Sequence, residues 1–358
     1  MDTSYITDYY NNYNEDERTK SRHGAVEFLT NMKYIRQYVP QGARILDVGA
    51  GTGVYSIALA MDGYDVHALE LVEHNIEVFR SNLPEGANIP VEQGNALDLS
   101  RYADESFDAV LLFGPLYHLY DKSDKLTVLR EAKRVLKPGG HIFAAYCMNE
   151  ATIIQFCFQG DGSNMMDCLT KGMLTEDYKC ISEPADLFEM VRLEDIDQLN
   201  REAGLKRVKI IASDLFTHYM KDQLENFSNA VYQAYVRYHL TICMNEATII
   251  QFCFQGDGSN MMDCLTKGML TEDYKCISEP ADLFEMVRLE DIDQLNREAG
   301  LKRVKIIASD LFTHYMKDQL ENFSNAVYQA YVRYHLTICE RPDLIGATNH
   351  SLDILTKM

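Results

Sequence analysis

Residues 45–53 read Ile45-Leu46-Asp47-Val48-Gly49-Ala50-Gly51-Thr52-Gly53. The spacing predicts an apolar strand over Arg44–Val48, a turn with glycine at 49, 51 and 53, and a helix-like segment from Val54 to Met61. Glycine is required where the backbone bends through positive φ or lies flat against a ligand. A dinucleotide-binding turn places its third glycine five residues after the first. Val54 occupies that place here, and the third glycine is Gly53. The Gly-Lys-Ser/Thr of a phosphate-binding loop is absent. Asp47, two residues before Gly49, would repel a pyrophosphate and suits a ligand end that carries a free amine.

Further stations follow in order. Tyr64 to Glu70 reads as a second strand ending in an acid, 21 residues after Gly49. Val91 to Asp98 reads as a third strand and its loop, and Phe107 to Leu119 as a fourth strand with the loop beyond it. Leu136-Lys137-Pro138-Gly139-Gly140 precedes a fifth strand, His141 to Tyr146. With the glycine turn as motif I, this pattern resembles the class I S-adenosylmethionine-dependent methyltransferases over roughly residues 40 to 146, with a last strand at 351 to 356. The resemblance implies an α/β, Rossmann-like sheet of seven strands, the last antiparallel, beneath a helical cap. It implies S-adenosyl-L-methionine as cofactor. Asp47, Gly49, Ala50, Gly51 and Gly53 would shape its loop, and Glu70, with Leu71 beside it, would grip both ribose hydroxyls. Asn95 would reach the adenine amino group while the backbone of Ala96 or Leu97 reads a ring nitrogen. The family often has Asp where Asn95 stands.

Composition bounds the partners. The chain has 358 residues, 46% apolar, and a net charge of −20. That charge opposes nucleic acid phosphates, which call for clustered Lys and Arg. No run approaches the ~20 apolar residues of a membrane span. The start, Met1-Asp2-Thr3-Ser4-Tyr5, lacks a secretory h-region. Nine cysteines without CxxC or Cys/His ligand spacing indicate neither a metal site nor a disulfide framework, and reduced thiols in a cytoplasm are expected.

Residues 147–242 and 243–338 are identical, position for position. Two copies of a 96-residue period are not a solenoid. The repeat reads as a recent DNA-level duplication or as an artefact of sequence assembly. The expected organisation is an N-terminal lid and helix (1–40), a cofactor-binding core (41–146), repeat copy 1 (147–242), identical copy 2 (243–338), and a tail carrying the last strand (339–358). Within a copy, Leu193 to Gly204 predicts an amphipathic helix with Ile196, Leu199 and Ala203 on one face. Arg207 to Ser213 reads as strand six. One core offers one place for that strand, so one copy docks and the other is appended or exchanges into a second molecule as a homodimer.

Methyl transfer from a sulfonium is an in-line displacement in which the protein mainly aligns the reactants and excludes water. A base is needed only where the acceptor must lose a proton. His118, just past strand four, is the candidate base, with Tyr117 and Phe113 placing a hydroxyl or π faces near the sulfonium. The alternative is that Tyr117, His118 and Leu119 simply pack the next helix. Tyr5, Tyr9, Tyr10 and Tyr13, with Arg18, Arg22 and His23, suggest either a lid or a loose polar tail. As a lid, Tyr13 would touch the cofactor and Arg22 its carboxylate. Cys147 is expected to end strand five as a small buried thiol. The expected function is methylation of a small-molecule heteroatom, with no nucleic acid, membrane or metal partner. Two alternatives are a cofactor-binding protein whose duplicated cap impairs turnover and a protein or RNA methyltransferase.

Overall fold

The computed structural model describes residues 3–12, 21–158, 163–183, 186–213, 221–242, 264, 266–267, 270, 289–309, 317–341 and 351–357. These form two compact units: Met1–Thr152 with Lys179–Ile210, and Ile153–Tyr178 with Ile211–Met358. The division runs through the first repeat copy instead of following the repeat boundaries.

The first unit opens with helices α1 (Ser4–Tyr10) and α2 (Arg22–Tyr38). An alternation of strands and helices follows: β1 (Arg44–Val48), α3 (Val54–Met61), β2 (Asp65–Glu70), α4 (Glu73–Asn82), β3 (Val91–Gln93), β4 (Phe107–Leu112), α5 (Lys122–Val135) and β5 (Leu136–Ala144). The five strands are all parallel, in the order β3-β2-β1-β4-β5. Helix α6 (Leu193–Ala203) ends on Gly204 in the left-handed conformation, as its amphipathic spacing predicts.

Inner parallel strands are covered on both faces, so they read as continuous apolar runs. Side chains still alternate, and the alternation sorts two cores. Ile45, Ala109 and Leu111 join Met32 and Ile35 of α2, Leu59 of α3 and Phe79 of α4. Leu46, Val48, Val110 and Leu112 join Val128, Leu129 and Ala132 of α5 and Leu199 and Ala203 of α6. Successive residues of one strand thus fill opposite layers, giving helices, sheet, helices. The strand order reverses between β1 and β4. The crevice outside the carboxyl ends of strands at such a reversal is where open α/β sheets bind ligands.

Two expectations need correction. The fifth strand runs Leu136–Ala144 where His141–Tyr146 was expected; its continuous pairing with β4 covers His141–Ala144, and Lys137 to Gly140 form a bulge opposite Asp108. A β-carbon at Gly140 would meet the Asp108 carbonyl at 2.6 Å, so glycine is what permits this approach. Cys147 does not end that strand; it belongs to a two-residue strand, β6 (Cys147–Met148), paired parallel with β7 (Met190–Val191).

Among the described residues the main sheet has five strands, where seven were expected. In the second unit, β8 (Leu301–Ala308) pairs antiparallel with β9 (Ser351–Lys357) as a separate two-stranded sheet. Residue 301 belongs to copy 2. The same sequence in copy 1, Leu205 to Ala212, carries no strand. The helices behave otherwise: Lys221–Asn226 and Asn229–Ile242 recur as Lys317–Asn322 and Asn325–Ile338. A helix satisfies its backbone within its own segment. A strand needs a neighbour, and β9 can serve only one copy along that edge.

Candidate functional site

The turn after β1 is built from the inside. Gly49 has φ 75°, and a β-carbon there would lie 2.9 Å from the Pro115 ring, so the loop after β4 closes over it. Gly53 caps α3 at φ 88°, and a β-carbon would sit 2.4 Å from the Phe79 ring. By contrast, Gly51 has open space beside it. The turn is tied to β2 by the Gly49 and Ala50 N–H groups, which both donate to the Leu69 carbonyl.

Glu70 ends β2 and is 5% exposed. Its Oε2 accepts from the Gly51 N–H at 2.8 Å, and its Oε1 accepts from the Val72 N–H at 2.9 Å and the Asn75 amide at 3.2 Å. Burial pushes the carboxyl above the usual range, opposed by the Val72, Gly51, Asn75 and Leu71 donors. The carboxylate thus locks the glycine turn onto β2 and keeps acceptor capacity at Oε2 for a ligand hydroxyl.

One cavity gathers these parts. Gly49, Ala50, Gly51 and Thr52 line it from the turn, Glu70 and Leu71 from β2, and Asn95 and Ala96 from the loop after β3. Phe113, Tyr117 and His118 line it from beyond β4, where Pro115–His118 form a 3₁₀ turn. Thr3, Ile6 and Tyr10 of the α1 region also line it, so the N-terminal helix covers the cavity. The Tyr117 hydroxyl donates to the Phe113 carbonyl at 2.7 Å. The Tyr5 hydroxyl donates to the His118 carbonyl at 2.5 Å, and Tyr10 Oη lies 3.1 Å from His118 Nε2.

Other expected site residues stand elsewhere. Asp47 is 2% exposed beneath the turn, where the Ser56 hydroxyl donates to it at 2.6 Å. Burial pushes its carboxyl up to about 6; Ser56 opposes this and Glu70 adds to it. Among the described residues, the cavity lining excludes Asp47, Gly53, Leu97 and Arg22. The Leu97 N–H donates to Asn95 Oδ1 at 2.9 Å, which leaves Ala96 at the cavity face. Tyr13 lies outside the described residues. Sequence reasoning missed Glu27, Thr52, Tyr55 and Asn75. Glu27 sits one position after buried Val26 and three before buried Thr30 on α2. An acid at the border of a buried helix face was the available signal.

The donor set fits a nucleoside that carries a sulfonium and an amino acid. Thr52 lines the cavity, and its Oγ1, itself buried, has no hydrogen-bond partner among the described residues. Bare main chain and a carboxylate suit a ribose. Tyr55 and Phe113, with ring centroids 4.7 Å apart, offer π faces to a cation. No group of three or more His, Cys, Asp or Glu among the described residues is placed to hold a metal ion.

A family model described as a methyltransferase domain matches residues 46–144. The ubiquinone biosynthesis O-methyltransferase of Pseudomonas syringae pv. tomato is 30% identical over 185 residues, covering 50% of this chain and 77% of the relative. The protein of the same name from Xylella fastidiosa (strain 9a5c) is 31% identical over 187 residues, covering 50% and 73%. Among solved structures, a SAM-dependent methyltransferase from Methanosarcina mazei is 20% identical with a TM-score of 0.37, covering 48% of this chain and 82% of that one. A glycine turn and an acid at the end of β2 opening onto one cavity, together with relatives matched over most of their own length, lead to one conclusion: the chain belongs to the class I S-adenosylmethionine-dependent methyltransferases.

Proposed function

We propose that this enzyme methylates a hydroxyl oxygen of a small molecule held in the cavity beneath α1. S-adenosylmethionine supplies an activated methyl group with a good leaving group already in place. The chain's own work is then binding, alignment and exclusion of water. Glu70 would take the ribose hydroxyls, Ala96 and Asn95 the adenine edge, and Thr52 Oγ1 a further polar atom of the nucleoside. Tyr55, Phe113 and Tyr117 would place ring faces beside the positive charge.

The observation that carries this reading is the continuity of the cavity from the glycine turn and Glu70 to the Tyr10 and His118 side chains. A cofactor laid along the turn would direct its reactive end toward that aromatic corner. The cover by α1 favours a small acceptor, and a net charge of −20 disfavours nucleic acid. The names of the relatives support oxygen as the accepting atom.

The test uses the full chain with S-adenosylmethionine and a panel of simple phenols, catechols, amines and thiols, with S-adenosylhomocysteine release read by mass spectrometry. Turnover with the hydroxyl acceptors is expected. Tight S-adenosylhomocysteine binding with no turnover on any acceptor would make the chain a cofactor binder, and turnover on amines alone would move the reaction to nitrogen.

A further inference from the structure

A line of polar atoms runs from the backbone into the cavity. His118 is 5% exposed, and its Nδ1 lies 2.9 Å from the Leu187 carbonyl. A carbonyl only accepts, so Nδ1 carries the hydrogen. Burial holds the ring below the ordinary histidine range, opposed by that carbonyl contact. In the neutral ring Nε2 then presents its lone pair, and the Tyr10 hydroxyl at 3.1 Å must donate to it. Two consequences follow. Both ring nitrogens of His118 are engaged, so the ring does not meet an acceptor's proton directly. The Tyr10 hydrogen is turned toward Nε2, so the oxygen of this cavity-lining residue can only accept a hydrogen bond from a ligand.

We propose that Tyr10 is the group that takes the proton from the acceptor hydroxyl, passing its own proton to His118; this rests on the hydroxyl-methylating reading above. The acceptor O–H bond breaks as a new O–H bond forms on Tyr10. The original Tyr10 O–H bond breaks as an N–H bond forms on Nε2. The electron pair freed on the acceptor oxygen makes the bond to the methyl carbon, whose bond to the departing sulfur breaks with both electrons going to sulfur. The positive charge that began on sulfur ends on the His118 ring, whose Nδ1–H faces the Leu187 carbonyl. Phe188, with its ring centroid 5.3 Å from that of His118, and Tyr117, at 4.8 Å, place aromatic rings beside the developing cation. His118 acts through Tyr10 and is a positioning and proton-storing residue.

The same helix provides the control. Tyr5 is a second hydroxyl tie between α1 and the 115–118 turn, and it reaches the His118 backbone instead of its ring. If Tyr10 only docked the helix, Tyr5→Phe and Tyr10→Phe would behave alike.

The experiment pairs kinetics with nitrogen resonances of the full chain carrying labelled histidine. Catechol and 4-nitrothiophenol, the latter already ionised at pH 8, serve as acceptors. Tyr10→Phe is expected to lower kcat for catechol roughly 10²-fold with little change in KM. The same variant should alter turnover of the thiolate less than about threefold, because no proton moves. His118→Gln, which keeps an acceptor for Tyr10 but cannot store a proton, should show the same split, whereas Tyr5→Phe should not. Without any cofactor, the His118 resonances should report the neutral Nδ1–H form, with Nε2 shifting in Tyr10→Phe. Equal losses on both acceptors, or an Nε2–H ring in the wild type, would overturn the relay while leaving hydroxyl methylation standing. Absence of wild-type turnover on catechol and other hydroxyl acceptors would sink the underlying reading, and the relay with it.

Discussion

At the scale of single residues, two buried acids divide the labour around the glycine turn. Glu70 faces the cavity with three close N–H donors, while Asp47 sits beneath the turn and accepts from the Ser56 hydroxyl. Burial raises the Asp47 carboxyl from 3.8 to about 6. A folded pKa above the unfolded one means that folding takes up a proton. The contribution of Asp47 to stability is therefore complete below pH 4 and is lost as the pH rises through about 6. Asp47→Asn, which retains an oxygen for Ser56, should stabilise the first unit at pH 7.5 by on the order of 1–3 kcal/mol and give no gain at pH 4. Urea unfolding at the two pH values checks this, and an equal effect at both would refute it. The sequence made the acid visible but not its depth, because the Ser56 partner lies nine residues on and only the packed helix brings it beneath the turn. Thr52 was likewise legible as a turn residue and not as an unmet hydroxyl.

At the scale of elements, the β1-turn-α3 unit was the most readable part of the chain, since strand, glycines and helix are all local. The glycines nevertheless differ in a way spacing does not convey. Gly53→Ala should destabilise the first unit by about 2 kcal/mol or more, since it combines positive φ with a clash against the Phe79 ring. Gly51→Ala has room for its methyl group, so it should cost only about 1 kcal/mol through its positive φ and act mainly by weakening S-adenosylhomocysteine binding. Thermal unfolding and calorimetric titration of the two variants separate these effects. Similar affinity losses with equal stabilities would contradict the assignment. Sheet completion was less legible than the helices. Leu205 to Ala212 and Leu301–Ala308 have the same sequence, yet only the latter is a strand, because pairing depends on where β9 finds a free edge. Loop closure grows only slowly with length, so the nearer copy is favoured over the farther one by about 1 kcal/mol.

At the scale of the whole molecule, the repeat offers an unusually clean deletion. Removing residues 147–242 or residues 243–338 leaves the same 262-residue polypeptide, so the outcome does not depend on which copy is judged superfluous. In that chain the single strand-six sequence has β9 to itself. It should fold cooperatively and bind S-adenosylhomocysteine within about threefold of the full chain, since the cavity is built entirely from residues 3–119. An insoluble or non-binding product would mean that the second copy supports the core. Amide hydrogen exchange of the full chain with and without S-adenosylhomocysteine shows whether the glycine turn, Glu70 and the loop after β3 together hold the nucleoside. Slower exchange is predicted at residues 49–55, 70–75 and 94–97, with added protection across α1. Protection confined to other segments, or none at saturating ligand, would contradict the account.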